Sequence, residues 1–231
     1  PDLRTRFFGA LQEAASDPIT LSVRDGMDPV DFDAARLAAL VNTGSPGGIR
    51  AAPLAMHAIA SGDPSRIRTL VSAEYSGSGF AWGMRLSVWC SEAWPFSDRS
   101  SASGPDDALF GYESAAVPPV LCERWRVPAR PEDFVSPVTS RVPTLLIAGE
   151  FDPATPPSWA THADRLLAYS VAITIPGGGH TPTVDWGGDG CAMRLAASFV
   201  ADPARFLDGQ TVPDCLGEVG RPEYQLRPDE R

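Results

Sequence analysis

Two residues that can exchange a proton lie just beyond two apolar segments of the sequence. Asp152 follows the apolar run at residues 142–149, and His180 follows the apolar run at residues 171–175. A carboxylate beside an imidazole fixes the tautomer of the ring and stabilises its protonated form. Because the pKa of a histidine lies near neutrality, such a ring suits general-base catalysis. We therefore interpret Asp152 as the acid and His180 as the base of a catalytic pair.

Each residue also has an ordinary structural interpretation. Asp152 lies where an aspartate often makes a turn or caps the N-terminus of a helix. A single histidine after glycines, such as His180, is commonly a surface loop residue. The order of an acid and then a histidine at two successive strand ends favours the catalytic interpretation.

The segments around the pair predict how its side chains are positioned. A helical pattern at residues 159–168 separates the two apolar runs, which indicates two parallel strands with a right-handed crossover. The carboxyl ends of parallel strands lie at one edge of a sheet, where ligands bind in open α/β folds. Residues 177–179 are three glycines, and they allow the sharp turn that holds His180 clear of its strand.

The nucleophile that such a pair would activate is missing from the sequence. In one common triad order, a Ser precedes the acid and the His and occupies a G-x-S-x-G turn between a strand and a helix. The nearest approximations are Thr-Gly-Ser-Pro-Gly at residues 43–47 and Gly-Ser-Gly at residues 77–79. Neither follows an apolar strand and precedes a core helix, so we interpret both as flexible loops. The Ser nucleophile is therefore expected N-terminal to this chain.

The organisation of the chain changes near residue 135. Upstream, apolar spacings of three and four predict short helices, and we interpret residues 1–135 as a mainly helical cap, or lid. Residues 136–216 are predicted to be the C-terminal part of an α/β core, whose last helix covers residues 192–206. Residues 217–231 form a polar tail that is expected to fray.

A two-stranded parallel sheet does not make a fold by itself. Both faces of buried parallel strands need covering, and neighbouring strands must supply the rest of the sheet. The chain opens at Pro1 without an initiator Met and looks like the middle of a longer protein. We expect the missing strands in a preceding N-terminal half of the same protein, which is then a partner of this chain.

Composition and charge exclude some classes of partner. The chain has 231 residues, 43% of them apolar, and a formal net charge of −10. A nucleic acid backbone needs clustered Lys and Arg, so the acidic balance argues against nucleic acid as a partner. No apolar run approaches the roughly 20 residues of a membrane-spanning helix, and we predict no membrane span.

Four cysteines are spread along the chain. No two of them form a C-x-x-C pair, which argues against a zinc site. Their even number is compatible with two disulfides in an oxidising compartment, and also with four buried free thiols. They are Cys90, Cys122, Cys191 and Cys215.

Several segments resemble those of a known family. The chain is similar to the C-terminal part of the secreted TAP-like α/β-hydrolases, which are related to bacterial tripeptidyl and prolyl aminopeptidases. Residues 143–157 (PTLLIAGEFDPATPP) are similar to the strand and acid loop of that family, and residues 178–180 (GGH) to its His loop. Residues 83–92, 122–128 and 191–216 resemble its cap motifs and its C-terminal ending.

The resemblance implies a fold, an activity and a site. It implies the C-terminal part of an α/β-hydrolase fold and a serine peptidase of aminopeptidase type, in which Asp152 and His180 are the triad acid and base. Peptides would be the substrates, cut so that short peptides or single residues leave their N-termini. No metal or organic cofactor is implied. The disulfides implied are Cys90–Cys122 and Cys191–Cys215, and the location implied is secreted or in the cell envelope.

The cap motif suggests residues that bind substrate. Glu92 is the candidate for binding the free α-amino group of a peptide, because a carboxylate above an active site selects a cationic N-terminus. Its alternative is an ordinary solvated Glu. Aromatic residues in and next to this motif could wall an apolar pocket or form the core of the cap. They are Trp82, Trp89, Trp94 and Phe96.

Two other functions remain open at this stage. One is an esterase or lipase-like hydrolase that uses the same triad on small esters. The other is a non-catalytic fragment or binding module built from a cap and half of a sheet.

Overall fold

The computed structural model describes most of the chain. The described residues are 2–23, 28–41, 44–75, 81–97, 119–184 and 190–226. They form two compact units. One unit comprises Pro1–Leu40 and Ala55–Ser136, and the other comprises Val41–Leu54 and Pro137–Arg231.

Helices dominate the described part of the chain before residue 137. In chain order the elements are α1 (Leu3–Ser16), β1 (Ile19–Leu21), β2 (Val30–Phe32), α2 (Ala34–Ala39), α3 (Pro46–Ala60), α4 (Pro64–Tyr75), α5 (Trp82–Val88) and α6 (Pro119–Trp125). The strands β1 and β2 pair antiparallel. Residues 46–54 of α3 cluster with the second unit, and the other elements cluster with the first.

Side-chain caps and apolar spacing account for the first helices. The Asp2 carboxylate accepts a hydrogen bond from the Thr5 N–H at 2.8 Å and caps α1, and Phe7 and Leu11 of α1 are buried. Either Asp31 or Asp33 is expected to cap the next helix. Asp33 does so, because its Oδ1 accepts from the Arg36 N–H at 2.9 Å. Such caps satisfy N–H groups that have no partner within the helix.

A disulfide joins the segment after α5 to α6. Cys90 lies in the π-helical turn Trp89–Ala93 and is bonded to Cys122. Leu86 is buried against this disulfide. Three half-buried residues pack around it, and they are Trp89, Trp94 and Val127.

The second unit is built on a parallel pair of strands. Its elements are β3 (Thr144–Gly149), α7 (Pro157–Asp164), β4 (Ser170–Ile175), α8 (Cys191–Ala201) and α9 (Pro203–Leu207). The two strands pair in register from Thr144 opposite Ser170 to Gly149 opposite Ile175. The sequence predicts this order of a strand, a helix and a second, parallel strand. The unit thus has a mixed α/β architecture with a small parallel sheet, which is consistent with part of an α/β-hydrolase fold.

One prediction about this unit is wrong. The sequence indicates a single last helix over residues 192–206, but the structure has α8 and α9 with a break at Asp202. Pro203 has no N–H to continue the helix. The Asp202 carboxylate instead accepts from the Arg205 N–H at 3.1 Å and starts α9.

The core of the second unit packs α8 and α9 against one face of the sheet. Its buried residues include Ile175, Leu195 and Phe206, and the disulfide Cys191–Cys215 lies among them. Both disulfides are the pairs that the resemblance implies. The apolar side chains of the strands are less well covered. Leu145, Ile147, Val171 and Ile173 are only half-buried.

The start of the tail makes specific contacts, although the sequence predicts that it frays. The Gln225 N–H donates to the Arg50 carbonyl at 2.8 Å, and the Arg50 Nε donates to the Glu223 carbonyl at 3.2 Å. The final residues, 227–231, lie outside the described residues. Within the described part, no helix is long and apolar enough to cross a membrane.

The disulfide in the core of the second unit should contribute measurably to stability. Replacing Cys191 and Cys215 together with Ala is expected to lower the free energy of unfolding by about 3–4 kcal/mol, the chain-entropy value for a loop of this length. Urea denaturation and hydrogen exchange of the β3 and β4 amides would measure it. As a control, replacing Cys90 and Cys122 with Ala should leave the exchange of those amides unchanged. An unchanged free energy of unfolding in the variant that lacks Cys191 and Cys215 would contradict a stabilising role of this disulfide.

Candidate active site

The parallel register brings the two loops of the candidate site to the same edge of the sheet. Gly149 ends β3 opposite Ile175, which ends β4. Asp152 and His180 follow these two residues closely, so their side chains meet there. The Nδ1 atom of His180 lies 3.0 Å from both Oδ1 and Oδ2 of Asp152. The geometry is that of a carboxylate that orients an imidazole.

Asp152 is a buried carboxylate with a full set of donors. It is only 5% exposed. Its Oδ1 accepts from the Ala154 N–H at 2.8 Å and from the Thr155 N–H at 2.9 Å. Its Oδ2 accepts from the Thr155 hydroxyl at 2.6 Å. Thr155 is a residue of the site that the sequence analysis does not single out, although it lies within the acid loop.

These donors keep Asp152 ionised. Burial raises the pKa of the Asp152 carboxyl, because it disfavours the charged form. The hydrogen bonds from Thr155, His180 and the Ala154 N–H outweigh burial and hold this pKa below its usual value. A carboxylate that stays charged near neutral pH can stabilise an imidazolium beside it.

Asp152 makes the turn that is one of its two interpretations, and the catalytic interpretation stays a prediction. The two N–H groups that Asp152 accepts make it the first residue of a turn. It is not a helix cap, because α7 begins at Pro157 after Pro156, and the cap position makes no side-chain hydrogen bond. The same carboxylate therefore shapes its loop and faces His180.

His180 is anchored through its backbone and exposed through its ring. Its N–H donates to the Gly44 carbonyl at 2.8 Å, while its side chain is 44% exposed. Because Nδ1 faces Asp152, Nε2 is the ring nitrogen left to exchange a proton with a nucleophile or substrate. The next residue, Thr181, has a φ of 57°. This conformation is strained for a β-branched residue, and it persists only where the surrounding contacts hold the loop in place.

Glycines let the acid loop and the His loop approach each other closely. Gly177 has a φ of 66°, as the predicted sharp turn requires. A Cβ atom at Gly149 would lie 2.1 Å from the Gly179 carbonyl oxygen, so no side chain fits there. The Phe151 N–H donates to the Gly178 carbonyl at 2.8 Å and ties the two loops together. This contact between loops is a role for the glycines that the sequence does not reveal.

A cavity of about 440 Å³ adjoins Asp152 and Thr155. One side of it is formed by Leu145 and Ile147 of β3, and another by Phe199 and Val200 of α8. Thr181, Pro182 and Thr183 complete much of its lining. The acid loop thus borders a largely apolar concave surface.

The predicted substrate-binding residues lie in the first unit. Glu92 is paired with Arg130, whose Nη2 and Nε lie 3.1 Å and 3.2 Å from Glu92 Oε1. Arg130 is absent from the sequence-based site, since a pairing across 38 residues leaves no local pattern. Trp89 and Trp94 pack around the Cys90–Cys122 disulfide. Their role in binding substrate stays a prediction.

The structure describes most of the first segment that approximates a nucleophile turn, residues 43–47. Ser45 Oγ accepts from the Gly48 N–H at 3.1 Å, and the Ser45 carbonyl accepts from the Ile49 N–H at 2.8 Å. Ser45 therefore caps α3, and the prediction of a flexible loop is wrong for residues 44–47. Thr43 and residues 77–79 lie outside the described residues.

Residues 107–211 match the family model described as TAP-like protein, a model of α/β-hydrolases. Over this region the chain is similar to TAP-like α/β-hydrolases, and the match supports a member of that family. The matched residues include Asp152, Thr155 and His180, whereas Glu92 lies outside them. Comparison with curated proteins gives no match, and comparison with solved structures gives none.

The Thr155 hydroxyl should stabilise the folded protein through the charged form of Asp152. Thr155→Val removes this donor and keeps the shape of the side chain, so it is expected to cost about 1.5–3 kcal/mol of unfolding free energy at pH 7. Because the pKa of Asp152 is lowered in the folded state, the contribution is complete above the unfolded value of about 3.9. It is lost as the pH falls through the folded value.

Urea denaturation between pH 7 and pH 3 measures this difference. Thr155→Ser, which keeps the hydroxyl, is the matched control and should stay closer to the wild type. A deficit of the Val variant that is equal at both ends of the range would show that its cause is packing rather than the carboxylate.

Proposed function

We propose that this TAP-like protein is a serine hydrolase that acts on peptides from their N-termini. Asp152 and His180 are two members of its Ser–His–Asp triad, and the Ser is supplied from outside the 231 residues. The observation that carries the proposal is the 3.0 Å approach of His180 Nδ1 to both oxygens of a buried, ionised Asp152. The family match supports a hydrolase in general.

The proposed reaction uses the pair in two proton transfers. His180 Nε2 takes the proton of the Ser hydroxyl as the Ser oxygen attacks the carbonyl carbon. The imidazolium then gives this proton to the amine that leaves when the scissile bond breaks, and an acyl-enzyme remains. Water repeats the sequence, with His180 again as base and then as acid. Asp152 stays ionised throughout and stabilises each imidazolium.

The poorly covered sheet supports the proposal that another part of the same protein completes the fold. Leu145 and Ile147 are half-buried and border the cavity beside Asp152. Parallel strands are ordinarily covered on both faces. An N-terminal half that adds strands and the nucleophile turn would cover these side chains and bring its Ser to the site.

The Glu92–Arg130 pair refines the proposal for amine binding. Both hydrogen bonds from Arg130 go to Glu92 Oε1. A carboxylate has about four acceptor positions, so Oε2 retains the capacity to accept from an ammonium group. The α-amino group of a peptide would then share the Glu92 carboxylate with Arg130.

The proposed location is secreted or within the cell envelope. Disulfides persist in oxidising compartments and are rare in the cytosol. All four cysteines of the chain are paired, in Cys90–Cys122 and Cys191–Cys215. The location follows from this chemistry together with the family.

Replacing His180 tests the proposed triad. His180→Ala in the full-length gene product is expected to lower kcat by about 10⁴-fold or more on aminoacyl anilides, because the general base is lost. His162→Ala, at an exposed histidine of α7, should keep wild-type turnover. Circular dichroism should show that both variants are folded. Retained turnover in the His180 variant would overturn the triad.

The same assay separates the competing functions. A matched series of anilides and esters with one acyl group distinguishes a peptidase from an esterase. Turnover of esters alone would replace the peptidase proposal by the esterase one. A folded wild type without turnover on either series would indicate a non-catalytic binding module.

Replacing Glu92 tests the amine-binding role. Glu92→Gln should lower kcat/KM for substrates with a free α-amino group by about 10- to 100-fold, the value of a charge-assisted hydrogen bond. Turnover of the N-acetylated substrates should not change. Glu123→Gln, at an exposed Glu of α6, is the control and should alter neither. An unchanged substrate profile in the Glu92 variant would end this assignment.

A further inference from the structure

The segment that starts α3 touches both loops of the candidate site. Its Gly44 carbonyl accepts the hydrogen bond from the His180 N–H at 2.8 Å. A Cβ atom at Gly44 would lie 2.9 Å from Pro153 Cδ and 3.3 Å from His180 Cβ. Gly44 therefore sits between the residue that follows Asp152 and the catalytic histidine itself.

The contact is also close from the side of the His loop. A Cβ atom at Gly179 would lie 2.0 Å from the Gly44 carbonyl oxygen and 2.9 Å from Ile49 Cδ1. Two glycines, one on each side, are thus needed for the backbones to approach. Gly44 has a φ of 63°, a conformation that favours glycine.

Hydrogen bonds within the segment, and from it to the tail, hold Gly44 in place. The Ser45 carbonyl accepts from the Ile49 N–H at 2.8 Å and Ser45 Oγ from the Gly48 N–H at 3.1 Å, so the helix begins directly after Gly44. The helix is in turn tied to the tail, where the Gln225 N–H donates to the Arg50 carbonyl. Gly44 is therefore an anchored point and not the tip of a free loop.

We propose that residues 44–49 are a positioning element of the hydrolase site, which holds the backbone of His180 where its Nδ1 can hydrogen-bond to Asp152. The proposal rests on the proposed function, since it assigns these residues to that same triad. The hydrogen bond from the Phe151 N–H to the Gly178 carbonyl ties the two loops together just beyond β3 and β4. Residues 44–49 fix His180 itself, which lies beyond the last strand contact.

A pair of glycine variants isolates this role. Gly44→Ala places a methyl group against Pro153 and His180. Gly62→Ala is the matched control, because Gly62 has a φ of 64° and nothing within 4 Å of its Cβ position. Both variants carry the same backbone strain, and only the first can displace His180.

Two readouts are needed in the full-length gene product. Proton and nitrogen NMR of the His180 ring reports the hydrogen bond of Nδ1 to Asp152 directly. Steady-state kinetics on aminoacyl anilides reports the reaction. Gly44→Ala is expected to shift the Nδ1 proton resonance and to lower kcat about 100-fold with little change in KM, since a displacement of about 1 Å has that effect. Gly62→Ala should match the wild type in both.

A second variant covers the case in which Gly44→Ala does not fold. Ile49→Ala removes a half-buried side chain beside Gly179 without adding any atom. It should also shift the His180 ring resonances and lower kcat several-fold. Wild-type ring resonances in both Gly44→Ala and Ile49→Ala, or in the one that folds, would overturn the proposal.

The NMR readout separates this proposal from the proposed function. If the wild type has no hydrolase activity, the proposed function fails, yet the ring resonances still show whether residues 44–49 hold His180. If the wild type is active and the Gly44 variant keeps both its resonances and its kcat, only the positioning role fails.

Discussion

The close approach of two backbones at Gly149 and Gly179 is the constraint on which the site depends. The parallel strands end in register at Gly149 and Ile175, but register alone only brings the loops to one edge. The loops can meet because residue 149 is a glycine. Any Cβ atom there would lie 2.1 Å from the Gly179 carbonyl oxygen and would keep the loops apart. This contact sets the separation between the acid loop and the His loop. The 3.0 Å distances from His180 Nδ1 to the two Asp152 oxygens span these same two loops.

A buried charge is tolerated at this point because its loop supplies the donors. Asp152 is taken out of water, which costs free energy unless its oxygens are paired. Two N–H groups and the Thr155 hydroxyl repay that cost from within three residues of Asp152. Although burial raises the pKa of the Asp152 carboxyl, these donors and the hydrogen bond to His180 hold it below its usual value.

The parts of the structure that sequence patterns predict are those set by local chemistry. Apolar runs bounded by loops indicate β3 and β4, and their parallel pairing follows from the helix between them. The sequence also contains the cause of the break at Asp202, because Pro203 cannot continue a helix. A prediction that used this residue would have placed the break correctly. Other features are set by contacts between distant residues and have no local pattern. Arg130 reaches Glu92 across 38 residues, and Gly44 meets His180 across an even longer stretch, so neither could be found without the fold.

The contacts that orient Asp152 and His180 are all made within one unit. The proposed acid, the proposed base and the residues that hold them all lie in the second unit, within Val41–Leu54 and Pro137–Arg231. Their geometry is fixed by glycine contacts, by the donors to Asp152 and by the strain accepted at Thr181, where φ is 57°. If a nucleophile is added to this unit, Asp152 and His180 are already oriented. The dipoles around the site then need not reorganise when the nucleophile binds. Preorganisation of that kind is where enzymes gain most of their electrostatic advantage. The half-buried β3 strand beside Asp152 is the place where added strands would both complete the sheet and deliver that nucleophile.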